Sequence, residues 1–392
     1  MANSPRVAFF PDSFEETNGV ARTSRALADA ARRRHQPLLC VHATSVPGTE
    51  VASALALPRG PVSFALDRDL RHDLLFWRHA RAATDAVRAF GANIVHVTGP
   101  SDVGQLGVVV ARRLRLPIVA SWHTNVHEYA ERRLQHILRR GPRPLVDPLS
   151  ACAGHLALNA TLRFYRLASA CLAPNPELVD LLHDATGAPT FLMRRGVDTT
   201  LFSPDRRVAG RPFTLGYVGR LSVEKNVARL ASLDAALAIR GAHPRWLIVG
   251  DGAERPSLQR LMPHADFRGV LTGSALADAY AEMDLLVFPS ETDTFGNVVL
   301  EALASGVPAL VSRAGGPKFI VRDGVTGFVA GGEHEWVDAV TTLMADDPRR
   351  LVMRDAARAH ALTWSWDAVL DEVRPAWEAA LGERVPAAAV IA

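Results

Sequence analysis

The chain has 392 residues, enough for two domains of ordinary size with a hydrophobic core each. It contains neither a signal-peptide pattern nor an uninterrupted run of about 18 apolar residues, which argues against secretion and against a membrane-spanning helix. Its three cysteines, Cys40, Cys152 and Cys171, are far apart and lack metal-ligand spacing, so we expect reduced thiols in a cytoplasmic protein.

The net charge of +3 conceals an imbalance, because residues 1–202 carry +7 and residues 203–392 carry −4. A basic first half suggests an anionic partner such as a membrane surface; arginines that only solvate helix faces are the alternative. The Arg-rich segment 127–168 is compatible with an amphipathic face on anionic lipid and equally with an exposed helix of a soluble domain. The only two lysines, Lys225 and Lys318, stand among 42 arginines, which hints that a compact ammonium is needed there.

Apolar runs typical of buried strands alternate with helical patterns along the first half of the chain. Continuous apolar strands separated by helices favour a parallel, doubly wound α/β sheet. We predict strands at Val7–Phe10, Leu38–Val41, Ile94–Val97, Ile118–Ser121, Ala170–Ala173 and Thr190–Leu192, and helices at residues 23–34, 69–90 and 103–114.

Ligands of such sheets usually bind at the carboxyl ends of the strands. Asn18-Gly19 follows the first strand, although on its own this pair indicates no more than a turn. His123 comes directly after the Ile118–Ser121 run and is therefore a candidate for ligand contact, whereas His96 lies inside a strand and is expected to be structural.

The same rhythm restarts in the second half with a strand at Phe213–Val218, after a polar segment at residues 205–212 that we predict to be the linker. Gly219-Arg220-Leu221-Ser222-Val223-Glu224-Lys225-Asn226 follows that strand directly. An Arg and a Lys five residues apart at a strand–helix junction can both point at one diphosphate, the Arg as a planar fork and the Lys as a point charge. Further strands are predicted at Trp246–Val249, Leu285–Phe288 and Ala309–Val311.

The most informative stretch is LLVFPSETDTFGNVVLEALASGVP, residues 285–308. It predicts a strand, a polar loop and a helix over Val298–Ala304, a geometry that presents backbone N–H groups to an anion. Gly296 lets the backbone approach a ligand closely. The carboxylates of Asp293 and Glu301 would lie ~12 Å apart along a helix that rises about 1.5 Å per residue. That is too far for an acid/base pair on one bond, but it suits the two ends of a nucleotide sugar.

These residues resemble the signature of retaining GT-B glycosyltransferases in glycosyltransferase family 4. The signature is a carboxylate, seven residues that include Phe-Gly, and a Glu followed by Ala-(Leu/Met)-Ala-Ser-Gly-(Val/Leu)-Pro. The Arg220–Lys225 segment is similar to the family's Gly-Arg-Leu-x-x-Glu-Lys-Asn, and the resemblance extends over nearly the whole chain. One departure is that the first carboxylate is Asp293 instead of Glu. Glu291 is the alternative for that role, but only Asp293 has the required spacing to Glu301.

The resemblance implies the GT-B fold: α/β, with two facing Rossmann-like, doubly wound parallel-sheet domains and an interdomain cleft. We place the N-terminal, acceptor-side domain at residues 1–204 and the C-terminal, donor-binding domain at residues 205–365. The C-terminal helix, residues 366–385, is expected to pack back on the first domain.

The resemblance also assigns the site. It implies catalytic roles for His123 on the transferred sugar, Arg220 and Lys225 on the donor diphosphate, and Asp293 on sugar hydroxyls. Glu301 would bind the ribose, and Asn18 replaces the first Gly of the family's Gly loop. The full set of donor-binding residues implied is Asn18, Gly19, Val270, Phe295, Gly296, Asn297, Val298 and Glu301.

The form Asp-Thr-Phe-Gly-Asn-Val-Val-Leu-Glu-Ala resembles the bacterial branch that transfers mannose from GDP-mannose to glycolipids. We therefore expect a metal-independent, cofactor-free hexosyltransferase with a nucleotide-sugar donor, a lipid or glycan acceptor and no nucleic-acid partner. We expect it in the cytoplasm, with peripheral contact to the inner face of the cell membrane as an option. The alternatives are a UDP-glucose or other UDP-sugar donor, a UDP-sugar 2-epimerase of the same fold, and a nucleotide-sugar-binding protein without turnover.

Overall fold

The computed structural model describes residues 4–16, 18–44, 54–67, 70–125, 143–208 and 210–383, together with residues 131, 134 and 138. The chain forms two compact units. The first comprises Met1–His123, Leu158–Arg195 and Trp366–Ala392, and the second comprises Thr124–Ala157 and Gly196–Ser365.

A parallel sheet of seven strands forms the centre of the first unit. Its strands are β1 (Val7–Phe10), β2 (Leu38–Thr44), β3 (Ala54–Pro58), β6 (Ile94–Val97), β7 (Ile118–Ser121), β8 (Ala170–Ala173) and β9 (Thr190–Leu192), in the order β3-β2-β1-β6-β7-β8-β9. A separate antiparallel hairpin consists of β4 (Ser63–Asp67) and β5 (Leu70–Asp73). Among the described residues up to β9, the α-helices with both ends described are α1 (Gly19–Arg33), α2 (Ala80–Phe90), α3 (Asp102–Leu114), α4 (Arg143–Tyr165) and α5 (Pro176–Thr186).

A second parallel sheet, of six strands, organises the second unit. Its strands are β10 (Thr214–Val218), β11 (Arg245–Val249), β12 (Asp266–Gly269), β13 (Leu285–Phe288), β14 (Ala309–Ser312) and β15 (Gly327–Ala330), in the order β12-β11-β10-β13-β14-β15. The helices are α6 (Ala228–Ile239), α7 (Arg255–Leu261), α8 (Gly273–Ala281), α9 (Asn297–Ala304), α10 (Glu333–Ala345) and α11 (Asp347–Leu362). The predicted α/β class with two doubly wound parallel sheets is confirmed.

The last helix, α12 (Trp366–Ala380), belongs to the first unit. Its buried side chains Leu370, Val373 and Trp377 join a core cluster with Phe9 of β1 and Leu27 of α1. At roughly 1.5–3 kcal/mol for each large apolar side chain removed from water, this one face stabilises the first unit substantially.

The predicted strand bounds agree closely with the structure because these strands are continuous apolar runs buried on both faces. The predicted helix over residues 69–90 is wrong in its first half, since only Ala80–Phe90 is α-helical. The cause is Asp73, whose carboxylate accepts hydrogen bonds from the Gly60 and Leu75 amides and so ties β5 into the hairpin. The Arg-rich positions 132, 133, 139 and 140 lie outside the described residues.

Candidate active site

Both sheets have a switch point, where the strand order reverses and where doubly wound sheets bind ligands. In the second sheet the chain runs from β10 outward to β12, then returns to the other side of β10 as β13. The loops that follow β10 and β13 are therefore neighbours at one sheet edge. These are the two loops that carry the predicted diphosphate-binding and sugar-binding residues.

The structure joins two of the predicted catalytic residues across these loops. Lys225 Nζ donates to Asp293 Oδ1 at 2.5 Å, and both side chains are largely buried. A second link holds the same loops together, since the Thr292 hydroxyl donates to the Glu224 carbonyl at 3.0 Å. The other oxygen of Asp293, Oδ2, is buried and has no hydrogen-bond donor among the described residues. A buried acceptor of this kind costs about 1–3 kcal/mol, which a donated ligand hydroxyl would offset.

A glycine turn supports the Asp293 loop from behind. The Gly316 amide donates to the Asp293 carbonyl at 2.7 Å. A Cβ on Gly316 would lie 2.0 Å from the Thr294 carbonyl oxygen, so only glycine allows this approach. Gly315 is equally constrained, with a φ of +80° and Glu291 backbone atoms where a Cβ would stand.

The helix that follows the loop begins as the sequence predicts. Gly296 has a φ of +101° and precedes the first turn of α9, where Asn297 and Val298 are half-buried. Phe295 is buried beside them. Backbone amides in the first turn of a helix attract anions, because they lack intrahelical partners.

Glu301 lies one turn into α9 and is almost fully buried. Its Oε2 accepts a hydrogen bond from the Tyr280 hydroxyl at 2.9 Å. Arg220 is half-buried after β10, and its carbonyl accepts from the Tyr217 hydroxyl at 2.9 Å. Val270 follows the edge strand β12 and is 70% exposed, so it can contact a ligand only from the margin of the sheet.

In the first unit, Asn18 and Gly19 form the start of α1. The Asn18 side chain accepts from the Ala21 amide at 2.9 Å and donates to the Ser13 hydroxyl at 3.2 Å. Asn18 is therefore an N-cap, which accounts for the Asn in place of the family's Gly and for a helix start at Gly19 instead of the predicted Thr23.

His123 lies after β7 in a buried chain of hydrogen bonds. Its Nδ1 is 3.1 Å from the Arg195 guanidinium, and its Nε2 is 2.7 Å from the Ser121 hydroxyl. The Ser121 hydroxyl is also 3.1 Å from Nε2 of His96, whose Nδ1 accepts from the Trp377 indole at 3.3 Å. Both ring nitrogens of His123 are therefore engaged within the first unit.

The two ends of this chain fix where its protons lie. Trp377 and Arg195 can only donate, so each imidazole must accept through Nδ1 and carry its proton on Nε2. The Ser121 hydroxyl then accepts from both rings. A charged His123 would point an N–H at the Arg195 cation. Burial first, then the positive Arg195, holds the pKa of His123 well below its usual range, so the ring is neutral at physiological pH.

The sequence offered little to single out Asp12, which follows β1 at the switch point of the first sheet. The Ser101 hydroxyl donates to its Oδ1 at 2.5 Å, and the Asp12 amide donates to the Thr98 hydroxyl at 2.7 Å. Burial raises the pKa of Asp12 to about 6, with a smaller contribution from the nearby Asp102.

The structure thus brings Lys225 and Asp293 together in one unit and adds Ser121 and Arg195 around His123 in the other. Ser121 and Arg195 were missed because their importance depends on contacts across long stretches of chain, 72 residues in the case of Arg195 and His123. Within the described residues, no group of three or more His, Cys, Asp and Glu side chains is arranged to hold a metal ion. Nor does any helix there have the length and apolar character to cross a bilayer.

Comparison with known proteins divides the chain in a similar way. Residues 17–201 match the family described as Glycosyltransferase Family 4, and residues 212–346 match Glycosyl transferases group 1. The chain is 33% identical to a GDP-mannose-dependent alpha-mannosyltransferase of Mycobacterium tuberculosis, over 98% of this chain and 99% of that protein. It is 36% identical to the protein of the same name from Mycolicibacterium smegmatis, over 76% of each. It is also 32% identical to the sulfoquinovosyl transferase SQD2 of Arabidopsis thaliana, over 74% of this chain and 57% of that one.

Solved structures share the fold at low sequence identity. The sucrose-phosphate synthase of Thermosynechococcus elongatus has a TM-score of 0.71 at 17% identity and covers 94% of this chain, with 97% of its own length matched. The Anabaena protein HepE in complex with UDP and glucose has a TM-score of 0.65 at 17% identity, over 94% of this chain and 98% of that one.

Proposed function

Because the chain belongs to glycosyltransferase family 4, we propose that it transfers mannose from GDP-mannose to a lipid-linked or glycan acceptor with retention of anomeric configuration. The observation that carries the proposal is the Lys225–Asp293 pair at the switch point of the second sheet. The pair supports the proposal because an ammonium suits a diphosphate and a carboxylate suits sugar hydroxyls. The relatives named GDP-mannose-dependent alpha-mannosyltransferases support this donor.

The leaving group is a nucleoside diphosphate, whose negative charge grows as the bond to the sugar breaks. Arg220 and Lys225 are the cations that we assign to it, with the first-turn amides of α9 as further donors. A lysine ammonium can donate three hydrogen bonds, so Lys225 can bind Asp293 and a phosphate oxygen at the same time. No metal is required for this step, since these groups supply the positive charge.

Asp293 then orients the sugar. One carboxylate oxygen is occupied by Lys225, and we assign the other, Oδ2, to a hydroxyl of the transferred mannose. Glu301, held by the Tyr280 hydroxyl, is assigned to the ribose hydroxyls at the opposite end of the donor.

The transfer itself exchanges two bonds at the anomeric carbon. The bond to the diphosphate oxygen breaks with its electron pair, and the acceptor oxygen forms its bond on the same face of the sugar. The acceptor proton passes to the departing phosphate oxygen. His123 is not the base for this proton, because the lone pair on Nδ1 already accepts a hydrogen bond from Arg195 and Nε2 already carries a proton. Burial and the Arg195 cation also hold the pKa of the ring well below its usual range, which makes it a weak base. We assign it to shaping the sugar pocket.

We further propose a cytoplasmic enzyme with a lipid acceptor, working in contact with the inner face of the membrane. The basic first half, +7 over residues 1–202, supports contact with an anionic surface. The sulfoquinovosyl transferase SQD2 matches 74% of this chain and is named for a different sugar. A donor other than GDP-mannose is therefore the second candidate.

The test incubates the purified full chain with GDP-mannose, UDP-glucose or UDP-galactose and a membrane lipid extract, followed by chromatography of lipid and nucleotide products. We expect mannosylated lipid and GDP from GDP-mannose alone. The Arg220→Met variant serves as the inactive control. Transfer from a UDP-sugar only would overturn the donor assignment. Epimerised UDP-sugar, or bound nucleotide without product, would overturn the transferase itself.

A further inference from the structure

Five large apolar side chains are exposed within one short part of the first unit, residues 62–77. We call this group the apolar cap. Exposed single apolar residues are ordinary on protein surfaces, whereas a local group that includes a two-thirds exposed tryptophan calls for an occupant. The members and their exposed fractions are Val62 (48%), Phe64 (43%), Leu74 (62%), Leu75 (44%) and Trp77 (66%).

A buried polar frame holds the apolar cap in place. The fully buried carboxylate of Asp73 accepts from the Gly60 amide at 2.6 Å, the Leu75 amide at 2.9 Å and the Arg78 guanidinium at 2.8 Å. Arg78 also donates to the Pro58 carbonyl at 2.7 Å. The hairpin and the segment after it are thereby tied to the end of β3. The exposed side chains are presented by a fixed backbone.

The interior of the same segment is fully packed. Phe76, between exposed Leu75 and exposed Trp77, is 1% exposed and lies beneath the guanidinium of Arg59. Arg59 in turn forms a buried ion pair with Asp102, the first residue of α3. The segment therefore buries the Phe76 ring in the core and leaves the Trp77 ring exposed to solvent. Phe76 fixes the segment, and Trp77 is available for contact with a partner.

The apolar cap lies at the carboxyl edge of the first sheet. Strand β3 ends at Pro58 and pairs in parallel with β2, which pairs in parallel with β1. The loops after these strands and after β6 and β7 therefore lie at one edge. Asp102, which follows β6, accepts a hydrogen bond from the Asp73 amide at 2.9 Å. Asn18 and His123 lie at the same edge.

The charges beside the apolar cap favour an anionic partner. Arg81 is one helical turn beyond Trp77 and 95% exposed, and Arg88 is two further turns along the same face at 62%. Asp85 lies between them and forms ion pairs with both, at 4.0 Å to Arg81 and 3.0 Å to Arg88, so these three residues carry one positive charge in excess. Residues 54–90 contain six Arg and four Asp, a net charge of +2. Two of these arginines are held by buried acids, Arg59 by Asp102 and Arg78 by Asp73. Arginines around exposed Trp, Phe and Leu match a bilayer interface that contains anionic lipid.

We propose that the apolar cap docks the protein on the surface of a bilayer containing anionic lipids and brings the carboxyl edge of the first sheet to the lipid headgroups. This docking gives a surface to the membrane contact of the proposed function, on which the lipid acceptor also rests, and vesicle binding is measured separately from transfer. Trp77, Leu74 and Leu75 enter the headgroup–acyl boundary, and the arginines of α2 remain at the headgroups.

The experiment measures co-sedimentation of the full chain with phosphatidylcholine vesicles, with or without phosphatidylglycerol. We expect wild-type protein to bind the anionic vesicles and the double variant Leu74→Ser/Trp77→Ser to bind about tenfold more weakly. The matched control is Ile239→Ser/Val352→Ser, which removes two apolar side chains of the second unit that are 88% and 70% exposed. This control should bind as wild type does, and thermal unfolding should be unchanged in both variants.

Other results would overturn the docking proposal. One is that wild-type protein does not bind anionic vesicles, and another is that the control variant loses as much vesicle binding as the cap variant. A third is a wild-type dimer that the cap variant abolishes, because a second copy of the chain would then occupy the apolar cap. A water-soluble acceptor separates this proposal from the proposed function, because the cap variant should turn it over at the wild-type rate. Vesicle binding without any transferase activity would refute the proposed function and leave the docking intact.

Discussion

Replacing Gly316 by alanine puts a methyl carbon where the structure has no space for it. The new Cβ would lie 2.0 Å from the carbonyl oxygen of Thr294 and 2.3 Å from its carbonyl carbon. Ordinary contacts begin at 3.4 Å, so the backbone of the Asp293 loop and the Gly316 turn must separate by about 1.4 Å. The atoms in conflict are backbone atoms, which cannot rotate away as the end of a flexible side chain can.

The displacement acts on the proposed site directly. The Gly316 amide binds the Asp293 carbonyl at 2.7 Å, and the Asp293 carboxylate lies 2.5 Å from the Lys225 ammonium. A shift of about 1 Å in a positioning group can cost ~10²-fold in rate. We therefore expect Gly316→Ala to lower kcat/KM for mannosyl transfer by about 100-fold, or about 2.7 kcal/mol at ~1.36 kcal/mol per factor of ten.

The assay follows GDP release and mannosylated product at several donor concentrations, beside circular dichroism and thermal unfolding. Gly331→Ala is the matched control, because its Cβ would meet Arg313 at an ordinary 3.4 Å. The control should keep the wild-type rate within about twofold, as a substitution without steric conflict does. A folded Gly316→Ala variant with wild-type kcat/KM would refute the argument that this turn positions Asp293.

Three further predictions concern charge. Lys225→Met should lower kcat by about 10²–10³-fold, because the leaving diphosphate loses a stabilising cation. The control Arg240→Met removes an exposed cation of the same unit and should leave kcat unchanged. Comparable rates in the two variants would contradict the assignment of Lys225. The ¹⁵N resonances of the His123 ring should show protonation at Nε2 alone with no titration between about pH 5.5 and 8, because burial and the Arg195 cation lower its pKa. Arg195→Met should raise that pKa, since it removes the smaller of these two causes; a wild-type ring that titrates near pH 6.5 would show the hydrogen-bond chain to be wrong. Because burial raises the pKa of Asp12 to about 6, the folded state binds that proton more tightly than the unfolded state, and stability falls as pH rises from about 4 to 6. Asp12→Asn should therefore gain up to about 3 kcal/mol in urea unfolding at pH 8 relative to wild type, and less at pH 4.5; a gain that shrinks with rising pH would exclude a buried charge at Asp12.

Most strands of the two sheets could be predicted because each is a short apolar run. The predicted start of α3 is within one residue of the observed start, next to the N-cap Ser101, whereas the predicted start of α1 at Thr23 is four residues late although Asn18 is its N-cap. The β3 strand and the β4–β5 hairpin could not be predicted. The sequence of β3, Ala-Leu-Ala-Leu-Pro, is apolar, but its Ala and Leu residues also favour helices. The hairpin mixes apolar and charged residues, and the hydrogen bonds that Asp73 accepts from the Gly60 and Leu75 amides hold it in place.

The pairing of Lys225 with Asp293 joins residues 68 positions apart. Because the strand order reverses around β10, the loops that carry these two residues are neighbours. A correct topology would therefore have predicted that the loops lie close together, but not that Lys225 and Asp293 form an ion pair. No topological rule predicts the hydrogen bonds around His123, because Arg195 and Trp377 come from distant positions in the sequence. The domain boundary at residues 204/205 and the roles assigned to the donor-binding residues stay predictions.

The position of α12 has a consequence for how the chain is made. A ribosome synthesises β1 first, yet the first unit receives Leu370, Val373 and Trp377 only after the whole second unit has been translated. Domains usually fold in the order of synthesis. Here the second unit can complete its core while the first still exposes the surface that α12 will cover. The nascent first unit is therefore the part that needs protection from aggregation, for example by a chaperone, until translation passes residue 377.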